Sequence, residues 1–206
     1  RMGCAEVKKM TQPSGNVKES SNKRILVVGG GMSGMTAALE IAETGYEVVL
    51  VEKTGALGGM AAKLYKRQPF KAPYAEAQDT GVAETVARIA ATPLIKVHLN
   101  STISETAGAP GRFVIQVAQE SGSVTEETVG AIVQATGFTT YDMAKLPELG
   151  GGQPNVVDQA GLEALARQAN GGAIKRADGK EVKSVVFVQC AGQRDDTGKH
   201  LAARGH

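Results

Sequence analysis

Lys23-Arg24-Ile25-Leu26-Val27-Val28-Gly29-Gly30-Gly31-Met32-Ser33-Gly34, continuing to Glu52, decides the fold. Arg24 to Val28 is a short, continuous apolar run, the pattern of a strand buried on both faces. The glycines follow at once. Ser33 to Thr44 then carries Met35, Ala38, Leu39 and Ala42 at helical spacing, and Gly45 stands where a left-handed C-cap belongs. Tyr46 to Val51 is a second buried strand, ending at Glu52. This is a β-α-β unit with a right-handed crossover. Within it Gly29-x-Gly31-x-x-Gly34 fits G-x-G-x-x-G, a weak pattern alone but a strong one between a strand and a helix with an acid after the next strand. Gly29 allows the tight turn, Gly31 lets the backbone approach a pyrophosphate, and Gly34 brings the helix close to the strand. The N–H groups at Met32 and Ser33 offer a positive helix end to phosphates. Glu52 lies 18 residues after Gly34 and suits a ribose 2′-OH, while repelling a 2′-phosphate. The unit thus reads as the site for the ADP half of a dinucleotide. A glycine-rich turn without a ligand is the alternative.

Outward from this unit, residues 1–22 are polar and aperiodic and read as a disordered lead-in. Order is expected over 23–192, with a flexible tail at 193–206. Gly55 to Gly59 is a loop, Ala61 to Tyr65 a helical turn, and Thr80 to Ala91 a helix with Val82, Val86 and Ile89 as its stripe. Leu94 to Leu99 reads as a strand, which Thr102 to Glu105 continues or follows. Arg112 to Gln119 and Thr125 to Gln134, joined by Glu120-Ser121-Gly122-Ser123, read as a hairpin arm laid across the sheet. Ala131 to Ala135 returns as a buried strand and stops at Thr136-Gly137. Gly161 to Asn170 is a helix, Ala177 to Lys180 a turn, and Ser184 to Gln189 a final buried strand.

Composition excludes several classes. The net charge of +2 is too small to suggest a nucleic-acid or membrane surface. No apolar run reaches the roughly 18 residues of a membrane span, so no direct membrane insertion is expected. Two distant cysteines, Cys4 and Cys190, make neither a disulfide framework nor the four thiolates of an iron–sulfur cluster, and fit a reducing cytoplasm.

Two later segments extend the first motif. Glu52-Lys53 followed by Gly58-Gly59-Met60 resembles the E-K-x-x-x-x-G-G extension of flavoproteins with two dinucleotide-binding domains. Ala135-Thr136-Gly137 resembles the A-T-G segment that closes against the cofactor in that group, with the arm between them. The resemblance implies FAD, with Glu52, Lys53, Gly59, Met60, the backbone at Ile103 (against adenine) and Ala135 to Gly137 around it. Lys23 to Gly31 with Gly58-Gly59-Met60-Ala61, and Asp178-Gly179-Lys180 leading to Val186-Phe187-Val188-Gln189-Cys190-Ala191-Gly192-Gln193-Arg194-Asp195, are similar to the A subunits of heterodisulfide reductases. The A subunits of the quinone-interacting membrane-bound oxidoreductase complex look nearest. The resemblance covers roughly 23–196. It implies a Rossmann-like α/β domain of three layers, with a parallel sheet and a crossing β-arm. It also implies an FAD-binding electron-transfer subunit of sulfur metabolism. Its partners would carry iron–sulfur clusters or link to a quinone in the membrane, and its location would be cytoplasmic or peripheral. No late G-D motif follows, so the chain is expected to be an N-terminal part with an incomplete flavin side.

No catalytic acid or base stands out. Cys190 at a strand end reads as buried and inert before it reads as a redox thiol. His98, His200 and His206 lack metal-ligand spacing, and His98 reads as a surface or satisfied histidine. Lys63, Lys66, Arg67 and Lys71 form a basic run that reads as a solvated face. Two rival functions stay open: an NAD(P)H-dependent flavoprotein reductase, which needs a second nucleotide motif that is missing, and a non-catalytic nucleotide-binding or assembly piece.

Overall fold

The computed structural model describes residues 21–189 and 191. Four strands form a parallel sheet in the order β3-β2-β1-β7: β1 is Arg24–Val28, β2 Glu47–Val51, β3 Ile95–His98 and β7 Ala131–Gln134. Three strands form a separate antiparallel arm: β4 Ser101–Ala109, β5 Arg112–Gln119 and β6 Val124–Val129. Helix α1 is Met32–Glu43, α2 Val82–Ala91 and α3 Gln159–Ala169.

The continuous apolar runs follow from burial on both faces. Adjacent strand residues point to opposite sides, so Val27, Val48, Leu50 and Ile95 pack with Met35, Ala38, Leu39 and Ala42 of α1 and Val82 and Ile89 of α2. Leu26, Val49 and Val51 face the other way and pack with Ile115, Val117 and Val129 of the arm. Helices, sheet and arm are the three layers that the sequence implies. Asn100, with φ 48, turns the chain from β3 into the arm. Gly130 returns it from β6 to β7, donating its N–H to the Arg24 carbonyl at 2.8 Å.

A buried acid fastens the arm. Glu127 of β6 is 4% exposed. It accepts from Lys96 Nζ of β3 at 2.7 Å and from Arg24 Nη1 of β1 at 3.2 Å, and lies 3.3 Å from His98 Nε2. His98 is itself buried, the satisfied histidine of the sequence reading. Burial pushes the Glu127 carboxyl up, but the hydrogen bonds and charges of Lys96 and His98 outweigh it and hold the group below its ordinary range.

Three expectations are corrected. The arm has three strands, not two. The polar stretch Ser101–Ala109 lacks an apolar pattern of its own and becomes a strand by pairing along β5. Order also begins before Lys23: Asn22 donates its N–H to the Gly111 carbonyl at 2.9 Å, and its side-chain oxygen accepts from Arg24 N at 2.7 Å. The largest correction concerns Ser184 to Gln189, which forms no strand. Val185 to Val188 are 51–86% exposed. A both-face apolar run becomes a strand only beside a pairing edge and under a packed layer. Here α3, which precedes it, buries none of its residues, and among the described residues no strand pairs with the run. The lead-in at 1–20, Cys190 and the tail at 193–206, with His200 and His206, lie outside the described residues.

Candidate functional site

The glycine loop and its surroundings meet at the C-terminal ends of β1, β2 and β7, where open α/β sheets place ligands. Gly29 has φ 108, and a Cβ there would overlap the Ala135 carbonyl oxygen. A Cβ on Gly34 would overlap the Gly29 carbonyl oxygen, so this glycine sets the contact between α1 and β1. Both glycines are required by packing alone.

Gly31 differs. It is the N-cap of α1 with φ −74 and ψ −178, a conformation open to any residue. A Cβ there would have only the Gly59 Cα near it, at 4.0 Å. The fold does not need glycine at this position. The helix end beside it has no side-chain cap, and the first-turn N–H groups of a helix have no partners within it. A bare loop against an uncapped helix end is a cradle for an anion.

The Gly58-Gly59 turn closes on this loop. Gly58 N–H donates to the Gly30 carbonyl at 2.8 Å, and Gly31 bridges to Gly58. Met60 follows at the start of a short 3-10 turn, Ala61–Lys63. On the other side Ala135 N–H donates to the Val28 carbonyl at 2.8 Å, which brings Ala135 and Thr136 against Gly29, with Gly137 next along the chain.

Glu52 forms the third wall. It is 7% exposed. One carboxylate oxygen accepts from Gly30 N–H at 2.6 Å, and the other from the N–H and the hydroxyl of Thr54, both at 2.8 Å. Burial raises its pKa, but these hydrogen bonds from Thr54 and Gly30 prevail and hold the carboxyl below its ordinary range. The acid is therefore ionised and acceptor-only at neutral pH.

The structure thus brings Gly29, Gly31, Met32, Ser33, Gly34, Glu52, Gly59, Met60, Ala135, Thr136 and Gly137 to one end of the sheet. Lys53 is exposed at the rim. Ile103 is placed differently from the rest. It lies in β4 opposite Val117, with its side chain packed on the core between arm and sheet. Sequence reasoning missed Thr54. It also missed Glu127, although Lys96 and His98 on one face of a strand were a signal that a buried acid would meet them.

A family model for FAD-dependent oxidoreductases matches residues 24–200. The chain belongs to the FAD-dependent oxidoreductase family. FAD is its cofactor, and the residues present fit that group: the open side of Gly31 and the uncapped end of α1 leave room and donors for a pyrophosphate, and Glu52 supplies an ionised acceptor. Among its relatives is the second of the iron-sulfur A subunits of CoB–CoM heterodisulfide reductase from Methanopyrus kandleri, 25% identical, with 95% of this chain and 41% of that protein covered. Another belongs to the A subunits of ferredoxin/F420H2-dependent CoB–CoM heterodisulfide reductases; it comes from Methanosarcina acetivorans and is 22% identical, covering 96% and 34%. The chain therefore spans well under half the length of these relatives. Among solved structures, an oxidoreductase from Agrobacterium tumefaciens is similar with a TM-score of 0.46, at 22% identity over 62% of this chain and 41% of that one. A thioredoxin reductase from Streptococcus pyogenes has a TM-score of 0.40, at 20% identity over 57% and 32%. Among the described residues no helix is long and apolar enough to cross a membrane.

Proposed function

We propose that this flavoprotein chain is the FAD-binding part of an electron-transfer subunit in a larger redox complex of the heterodisulfide reductase kind. Its partners would be subunits that carry iron–sulfur clusters or link to a membrane quinone. The names of the relatives, both A subunits of CoB–CoM heterodisulfide reductases, support the kinship with that kind of subunit.

Bound FAD supplies the redox chemistry at its ring system. The chain's own residues hold and orient it. The N–H groups at Met32, Ser33 and Gly34 would face the pyrophosphate, with Gly31 keeping a side chain out of its way and Gly29 and Gly59 letting the backbone close around it. Glu52 would accept from the adenosine ribose, and Lys53 would sit at the rim. The Ile103 backbone would border adenine. Met60 and Ala135 to Gly137 would close the two sides.

The observation that carries the FAD-binding part of this reading is Gly31, a glycine in a conformation that needs none, facing open space at an uncapped helix end. A Gly31→Ala variant tests it. The variant is expected to keep the far-UV circular dichroism and unfolding midpoint of the parent, while its affinity for FAD in calorimetric titration falls by about tenfold or more, since a Cβ intrudes only on the ligand. Equal FAD affinity in the two proteins would contradict the proposal.

A further inference from the structure

The carboxylate of Glu52 is held from three directions, and two of them come from one residue. Thr54 donates both its N–H and its hydroxyl to the same carboxylate oxygen, Oε1, at 2.8 Å each. Gly30 N–H occupies one position on Oε2 at 2.6 Å. A carboxylate oxygen offers two acceptor positions, so Oε1 is filled and Oε2 keeps one for a donor from outside the chain. The Thr54 hydroxyl also lies 2.9 Å from the Ala56 carbonyl. It has one proton to give, and the charged oxygen is the stronger acceptor. Thr54 is anchored in turn, its own carbonyl accepting from Asn100 N–H at 3.0 Å.

We infer that Thr54 is a positioning and specificity residue of the nucleotide site, aiming the free acceptor of Glu52 at a ribose hydroxyl. The inference rests on the reading of Glu52 as the ribose acceptor. Without the hydroxyl clamp one oxygen is tied only by a backbone N–H, and the carboxylate can turn about its last side-chain bond, a soft torsion. The ligand would then lose the hydroxyl recognition while its phosphate contacts stay intact. Ser keeps the clamp; Val, of nearly the same shape, and Ala remove it.

The test compares ADP with 2′-deoxy-ADP by calorimetric titration on the 206-residue chain and its Thr54→Val, Thr54→Ala and Thr54→Ser variants. The parent and Thr54→Ser are expected to prefer ADP by about tenfold, the worth of one hydrogen bond to a charged group. In Thr54→Val and Thr54→Ala that ratio is expected to fall toward one, with affinity for 2′-deoxy-ADP unchanged. A structural role alone would weaken both ligands alike and leave the ratio in place. An unchanged ratio in whichever of the two hydroxyl-free variants folds overturns the role of Thr54. A parent that binds both ligands equally overturns the Glu52 reading beneath it. A parent that binds neither overturns the nucleotide site itself.

Discussion

Residues 23–135 and 138–189 contain similar materials and use them differently. Leu26-Val27 in the first and Val186-Phe187 in the second are both apolar pairs within short β-branched runs. Leu26 is 1% exposed and Val27 is fully buried; Val186 and Phe187 are 86% and 67% exposed. β1 has a paired strand on each side, helix α1 on one face and the arm on the other. The later run has none of these. Helix α3 is well formed, with Asp158 accepting from Gly161 N–H at 2.7 Å and Asn170 as its left-handed cap, yet it buries none of its residues. Both core clusters draw on residues 23–135 only. Local signals are thus enough to make a helix, but only layers on both faces turn an apolar run into a core strand. The nucleotide site lies wholly at the edge of the packed region.

The strongest way to break this contrast is to disturb the tightest contact in the packed region. Gly34→Val is expected to cost more than about 4 kcal/mol, enough to abolish cooperative urea unfolding, because its side chain would need the space of the Gly29 carbonyl. A normal transition in that variant would show the contact to be loose. Leu26→Ala should cost about 3 kcal/mol, as a fully buried leucine does.

Glu127→Gln should cost less, about 2 kcal/mol. It leaves charge unpaired, but the Arg24 and Lys96 side chains are 39% and 60% exposed and regain water. The effect also has a sign in pH. The Glu127 carboxyl is held below its ordinary value in the folded chain. Its contribution is therefore full above the unfolded value of about 4.3 and is lost as pH falls through the folded value. Unfolding midpoints across pH 3 to 7 should fall less steeply on the acid side for Glu127→Gln than for the parent. Parallel profiles would mean that Glu127 does not link the arm to the sheet.

The smallest effect belongs to the later region. Val186→Ser should change stability by less than about 0.5 kcal/mol, as exposed positions do. A loss above about 2 kcal/mol would mean that the run is buried in solution, as its pattern suggests, and the contrast would collapse.

The same contrast explains what was legible in the sequence. Arg24 to Glu52 was readable because period, turn glycines and cap residues all agree with the burial they receive. The approach of Gly58-Gly59 and of Ala135 to the glycine loop was readable only through resemblance, since nothing local specifies a contact between residues so far apart. The strand Ser101–Ala109 was faint because pairing with β5, rather than its own composition, makes it. Ser184 to Gln189 was misread because a pattern records what a segment can bury and not whether an edge is within reach. Thr54 left no trace in any periodicity; its role comes from geometry around one carboxylate.

The most direct measurement is the visible absorption spectrum of the purified chain, before and after incubation with FAD and removal of excess. A bound-flavin band near 450 nm (a rough value for oxidised flavin), retained through gel filtration at a stoichiometry approaching one, is the expected result. A folded protein that stays colourless and takes up no FAD would contradict the assignment of this site.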